Sequence, residues 1–164
     1  MPVCLARIDD RLVHGQVVEG WIPHLRAERV VVVSDAAAHD ETQLALMRMA
    51  LPDDIDFEAL SVDEAARNPA VLESDGKRTL LLAPGPLEIL GLLERGVNLA
   101  RVNVGGLHYS AGKVQLGKAI FLSEEDRRAL QRISRRGVVL EGRATPADRE
   151  VDLLALLEDQ GAAS

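Results

Sequence analysis

Arg7-Ile8-Asp9-Asp10-Arg11-Leu12-Val13-His14-Gly15-Gln16 gathers two arginines, two aspartates and one histidine into one short stretch. Those residue types could place a phosphoryl group on an imidazole. A histidine with an unperturbed pKa of about 6.5 offers a neutral, nucleophilic ring. Arg7 and Arg11 could supply fixed donors for phosphate oxygens, stabilising the charge that spreads over them during transfer. If the chain stays extended past Arg7, then Arg7, Asp9 and Arg11 point to one side and Asp10 to the other. A carboxylate between two guanidiniums can hold both in place until phosphate arrives. The ring nitrogen that is not modified needs a partner, which Asp9, Asp10 or a backbone carbonyl could provide. Gly15 would allow close approach of a donor, and Gln16 either orients the loop or faces solvent.

The elements around this stretch must position it. An apolar run, Val3-Cys4-Leu5-Ala6, precedes it, and a helical pattern begins near Gly15. A strand therefore hands over to a helix whose first amides favour an anion. Val30-Val31-Val32-Val33 is a continuous β-branched run, as in a strand buried on both faces of a parallel sheet. Residues 79–83, 100–104, 119–122 and 138–140 read the same way, with 57–60 as a shorter candidate. Helical patterns fall at about 15–26, 39–50, 61–68, 86–95, 123–136 and 146–158. The segment 123–136 is the best marked, with Ser123 as N-cap, acids in its first turn and arginines towards Gly137. Its arginines read as a solvated helix face. Residues 68–77 read as a loop.

This alternation predicts an α/β fold: a doubly wound, mostly parallel β-sheet with helices on both faces. Residues 1–160 are expected to form one domain and 161–164 a loose C-terminal tail. In such a sheet, ligands bind beyond the carboxyl ends of the strands. The Arg7–His14 loop should therefore share an edge with Ser34-Asp35, Pro84-Gly85-Pro86 and Gly105-Gly106. Asp35 either supports the first loop or caps the next helix. Gly105 and Gly106 allow close backbone approach or positive φ, with amides available to an anion, or they form a simple tight turn.

Composition excludes several classes. A formal net charge of −7 argues against nucleic-acid binding. Trp21, Phe57, Tyr109 and Phe121 are the whole aromatic complement, so the core must be aliphatic. Cys4, the single cysteine, reads as a buried inert thiol. No apolar run reaches the roughly 18–20 residues that span a bilayer. Arg7, Asp9 and Asp10 stand where a signal peptide needs its apolar core. These features predict a cytoplasmic protein with no direct membrane insertion. Gly106 and Gly112-Lys113 miss the phosphate-loop spacing, and Val114 replaces the required Ser or Thr. No zinc spacing is present, and neither a metal nor a cofactor is expected.

The run from Arg7 to Gln16 resembles the phosphorylation-site signature R-x-D-x-R-L-x-H-G-Q of IIB subunits in the mannose/fructose/sorbose family of the bacterial phosphoenolpyruvate:sugar phosphotransferase system. Asn103-Val104-Gly105-Gly106 resembles that family's N-V-G-G segment, and the resemblance covers essentially the whole chain. It implies that His14 is the phosphoacceptor, modified on Nδ1, with Arg7 and Arg11 catalytic. Asp9, Asp10, Gly15, Gln16, Asp35, Gly105 and Gly106 would support phosphate or the loop. It implies a IIA phosphoryl donor, a sugar as acceptor and membrane IIC and IID subunits that hold it. An apolar rim of Leu12 and Val13, joined by Trp21 or Leu107, would suit transient docking, against the alternative that Trp21 is core. A regulatory module that uses the same phosphohistidine as a signal, without transport, is the alternative function. Neither the sugar nor the oligomeric state is written in the sequence.

Overall fold

The structure is a computed structural model that describes residues 3–117 and 119–163. Its main sheet has seven strands in the order β3-β2-β4-β1-β5-β8-β9. These are β1 (Val3–Ile8), β2 (Arg29–Val33), β3 (Asp56–Leu60), β4 (Thr79–Ala83), β5 (Arg101–Val104), β8 (Val139–Gly142) and β9 (Val151–Asp152). All neighbours are parallel except the short β8–β9 pair. β1 lies between β4 and β5, so the loop that follows it emerges from the middle of the sheet.

Alternation along the strands explains why both faces are covered. Val31 and Val33 of β2 join a core with Ala6 and Ile8 of β1, Leu81 of β4 and Val102 and Val104 of β5. Val30 and Val32 join a second core on the opposite face with Leu5, Leu80 and Leu82. The period of two in a strand sends successive side chains to opposite faces. The first core is closed by α4 (Val62–Ala66), α6 (Pro86–Glu94), α7 (Glu124–Arg135) and α8 (Leu153–Ala163). The second is closed by the helical run at residues 15–25, whose centre is a π-helical turn at Val17–Trp21 leading into α1 (Ile22–Leu25), and by α2 (Asp35–Ala38) and α3 (Glu41–Ala50). The doubly wound, mostly parallel sheet expected from the sequence is the fold observed.

Several local expectations are corrected. The run at 119–122 is not a further parallel strand. Its β7 (Ile120–Leu122) pairs antiparallel with β6 (Val114–Leu116) in a separate two-stranded sheet. A four-residue apolar run carries burial but no direction, and Leu116, Ile120 and Leu122 close the first core from above the sheet. The helix expected at 39–50 is α3 (Glu41–Ala50), and a short unexpected helix, α2 (Asp35–Ala38), precedes it. Ser34 caps α2 by accepting the Ala37 amide, and Asp40 caps α3 by accepting that of Gln43. Two caps make two starts. The expected loop at 68–77 contains α5 (Pro69–Leu72), started by Asn68 and anchored by buried Val71. The last helix begins at Leu153, after β9, and its backbone runs through 161–163; Ser164, the end of the expected tail, lies outside the described residues.

The α7 reading holds in detail. Ser123 and Asp126 form a reciprocal capping box, and Ala129, Leu130 and Ile133 are the buried stripe. Its arginines are spent at the surface, as in the Arg128–Glu124 pair one helical turn apart. Among the described residues no helix is long and apolar enough to cross a membrane.

Candidate functional site

β1 stops at Ile8, and the chain turns at once. The Leu12 amide donates to the Asp9 carbonyl at 3.0 Å, and Leu12 takes a φ of 56°. A buried leucine in the left-handed region is a strained placement, of the kind found where a loop is held for function. The extended continuation past Asp9 is therefore absent, yet the grouping it implied is present. Asp9, fully buried, lies between both arginines. Its Oδ2 accepts from Arg7 Nη2 at 3.0 Å, and its Oδ1 accepts from Arg11 Nε at 3.3 Å and from the Arg11 amide at 3.1 Å.

The two arginines are not equivalent. Arg7 is fully buried. Its Nη1 donates to Asn103 Oδ1 and to the Arg143 carbonyl, and its Nη2 donates to Asp9 and to the Ala144 carbonyl. Its guanidinium carbon lies 5.0 Å from the centroid of the Trp21 ring. Burial pushes the Arg7 pKa down, and neighbouring Asp9 opposes that shift. Both terminal nitrogens of Arg7 are engaged inside the protein, where they hold Asp9, Asn103 and the 143–144 loop. Arg11 is the arginine at the surface, its side chain 39% exposed. Nη2 donates to Gln16 Oε1 at 3.0 Å, which gives Gln16 the orienting role of its two alternatives.

His14 precedes the helical run, and its carbonyl accepts from the Val17 and Val18 amides. Its Nδ1 lies 2.9 Å from the Leu12 carbonyl, which can only accept, so Nδ1 carries a proton in this arrangement. Nε2 is buried without a hydrogen bond, 3.7 Å from Asp9 Oδ2. The ring is thus largely buried, 16% exposed, and Asp9 lies against both it and Arg11.

Asp10 turns the other way, as alternation implied. Its carboxylate accepts from the His108 amide at 2.7 Å and meets His108 Nδ1 at 2.6 Å. Its amide donates to the Gly106 carbonyl at 3.0 Å. His108 is exposed and tied to the loop through both of these contacts with Asp10. Gly105 and Gly106 serve by close approach, and neither has a positive φ. The Gly105 amide is spent on the Ile8 carbonyl at 2.8 Å. A Cβ on Gly105 would collide with the Arg7 guanidinium; one on Gly106 would lie 3.3 Å from Arg11 Nη2 and 3.6 Å from the His108 ring. Gly105→Ala should therefore cost about 1–3 kcal/mol of stability, because Arg7 cannot give way. Gly15, with open space around it, should tolerate alanine. Urea denaturation of both variants checks this, and equal midpoints would contradict it.

Asp35 leaves the cap of α2 to Ser34. Its Oδ1 accepts from the Val62 amide at 2.9 Å, tying the end of β2 to α4. It does line, with Asp10, Leu12, Ser34, Pro84 and Glu88, a cleft of about 530 Å³ beyond the carboxyl ends of β1, β2 and β4. Burial pushes the Glu88 carboxyl up, helped by Asp126 and Asp35. The apolar docking rim is also corrected. Leu12, Val13, Trp21 and Leu107 are all buried, whereas Leu87 and Tyr109 are exposed. His24 and His39 are exposed, and Lys113 Nζ reaches the His108 carbonyl. Cys4 is half-buried, and burial pushes its thiol pKa up, away from reactivity. Among the described residues no His, Cys, Asp and Glu side chains group as a metal site.

Sequence reasoning missed the layer beneath the loop: Trp21 as a support for Arg7, Asn103 and Glu141 as buried polar groups, and the 143–144 carbonyls. A polar Asn103 and a charged Glu141 inside buried strands were the available signals.

A family model described as the PTS system sorbose subfamily IIB component matches residues 3–164. The chain is 36% identical over 159 residues to the PTS system fructose-specific EIIB component of Bacillus subtilis, covering 97% of this chain and 98% of that one. It is 34% identical to the PTS system mannose-specific EIIAB component of Escherichia coli, of which it spans about half the length, 49%, with 96% of this chain covered. Among solved structures, the IIBSor domain of the sorbose permease from Klebsiella pneumoniae superposes with a TM-score of 0.88 at 32% identity, over 97% of this chain and 98% of that one.

Proposed function

Since the chain belongs to the sorbose subfamily of IIB components of the phosphotransferase system, we propose that it carries a phosphoryl group on His14 from a IIA donor protein to a sugar held by membrane IIC and IID subunits. IIB components are phosphotransferases, and the present chain has the parts that this step needs at one sheet edge. The observation that carries the reading is the placement of His14. It stands at the start of the helical run at 15–25, with half-exposed Arg11 fixed beside it by fully buried Asp9.

The step balances without a further reactant. The lone pair of one His14 nitrogen forms the new N–P bond as the N–P bond in the donor phosphohistidine breaks. The other ring nitrogen keeps its proton. For attack by Nδ1, which the family resemblance implies, the ring first takes its other neutral tautomer. Nδ1 gives its proton to solvent and turns from Leu12 O, and Nε2 takes one from solvent and donates it in a hydrogen bond to Asp9 Oδ2. Arg11 Nη1 and the first amides of the helical run meet the charge on the equatorial oxygens. Asp10 and His108 hold the opposite wall of the loop. The loss of phosphate to a sugar hydroxyl reverses the same geometry. No charge in this chain selects the sugar, which falls to the membrane subunits.

The test is incubation with phosphoenolpyruvate, the general phosphotransferase proteins and a matching IIA. One acid-labile, base-stable phosphoryl group per chain is expected, released when sugar and membranes carrying IIC and IID are added. Failure to label with a demonstrably active IIA overturns the carrier reading. Label that stays when sugar and membranes are supplied overturns its transport half.

A further inference from the structure

Three polar side chains stand in one row beneath the phosphoacceptor loop. Arg7 of β1 is in register with Asn103 of β5, and Asn103 is in register with Glu141 of β8. All three are buried, with Glu141 only 3% exposed. In a parallel sheet, register partners face the same side, so the row runs across three adjacent strands on the face that carries Trp21.

The hydrogen-bond chemistry of the row has only one direction. A guanidinium can only donate, and a carboxylate can only accept. The amide between them must turn its oxygen to Arg7 and its nitrogen to Glu141. Asn103 does so: its Oδ1 accepts from Arg7 Nη1, and its Nδ2 donates to Glu141 Oε1 at 3.5 Å. Glu141 also accepts from Arg143 Nη2 at 3.2 Å and from Arg101 Nη1 at 3.3 Å. Arg143 lies 5.1 Å from the Trp21 ring centroid, as Arg7 lies 5.0 Å from it. Two like charges thus flank one indole, and the Glu141 charge offsets their repulsion. None of these residues reaches the loop surface, yet Arg7 holds Asp9, and Asp9 holds Arg11.

We propose that Glu141 and Asn103 are positioning residues for phosphoryl transfer, setting Arg7 and, through Asp9, the surface guanidinium of Arg11. The kinetic arm of this inference rests on the carrier reading of His14; the structural arm does not. A buried carboxylate placed only for stability would leave Arg7 where it is when neutralised in shape-conserving form. A positioning carboxylate would not, because a single amide oxygen then replaces the two oxygens that accept from Asn103, Arg143 and Arg101, and Arg143 loses its counter-charge.

The experiment compares wild type with Glu141→Gln, Glu141→Asp, Asn103→Ala and the pair Glu141→Gln/Asn103→Ala. Turnover of phosphoryl acceptance from a phospho-IIA donor is expected to fall about tenfold in Glu141→Gln, the scale of one charge-assisted hydrogen bond, with the donor KM unchanged. Glu141→Asp, which keeps the charge, should recover part of it. The double variant should lose no more than the worse single one, since both act through Arg7. The guanidinium nitrogen resonances of Arg7 should shift or broaden in Glu141→Gln, and the emission of Trp21, the one tryptophan in the chain, should move with them. Unmoved Arg7 resonances overturn the proposal whatever the turnover, and so does wild-type turnover in Glu141→Gln. If the wild type itself accepts no phosphoryl group, the carrier reading falls alone, and the Arg7 resonances still decide whether Glu141 orders the row. A variant that melts early is read at low temperature, where its Arg7 resonances give the same decision.

Discussion

His14→Ala is expected to accept no phosphoryl group from a phospho-IIA donor that labels the wild type, while its thermal melt stays near that of the wild type. The two halves come from different facts. His108, the other histidine at this edge, has its ring Nδ1 held by Asp10 Oδ1 and its amide by Asp10 Oδ2. The fold depends little on the ring, which makes one contact with the Leu12 carbonyl and leaves Nε2 without a hydrogen bond. Losing that contact should cost about 1 kcal/mol. Arg11→Ala should leave a labelled but slow protein, with transfer reduced about tenfold to a hundredfold, the usual scale for one donor aimed at developing charge. Arg7 variants should instead fail first in stability, because Arg7 spends its terminal nitrogens inside the protein. Quenched time courses of label, read beside melting curves, separate these classes. Label on His14→Ala at the wild-type level would move the acceptor elsewhere and dismantle the site described above.

That contrast between Arg7 and Arg11 marks the limit of what the chain discloses before it folds. Alternation along residues 7, 9 and 11 correctly placed two guanidiniums around one carboxylate. It assigns a side, however, and says nothing of depth. Depth came from elements far away in sequence: the Arg143 and Ala144 carbonyls and the Trp21 ring enclose Arg7. The same reason hid the burial of Leu12, Val13 and Leu107, which read as a surface rim from their place beside the charged residues. The sheet was legible because β2 and β4 are runs of Val or Leu that only a doubly covered strand requires. The carboxyl-edge rule then brought Gly105 and Gly106 to the loop, where Gly106 faces Arg11 and His108. Direction was not legible in the hairpin at 114–122, since three apolar residues pair equally well either way. Asp35 shows a third limit. A carboxylate at a strand end is placed by the rule, but which amide it accepts from, here Val62, depends on where α4 lands.

Asp9→Ala is expected to be the most damaging single change to the fold at this edge. Asp9 is fully buried and is the acidic partner that Arg7 pairs with. Without it Arg7 keeps Asn103 and two backbone carbonyls, all neutral, around a charge that burial already disfavours. Removing one member of a buried pair costs about 3–5 kcal/mol, because the other charge remains without compensation. Against a total stability of about 5–15 kcal/mol, that is a large share, and the melting temperature should fall by on the order of 10 °C. The loop would suffer separately, since Asp9 also accepts from the Arg11 amide and Nε. A double variant distinguishes the two effects. Asp9→Ala/Arg7→Met removes both charges and keeps an apolar stem of similar reach, so it should regain much of the lost stability. It should not regain phosphoryl transfer, because Arg11 still lacks its anchor and His14 still lacks the carboxylate 3.7 Å from Nε2. Differential scanning calorimetry of the wild type and the variants, with the label time course on each, reads both quantities. If Asp9→Ala melts with the wild type, the buried Arg7–Asp9 pair is not what holds the loop; if the double variant regains transfer with stability, Asp9 acts on the fold alone.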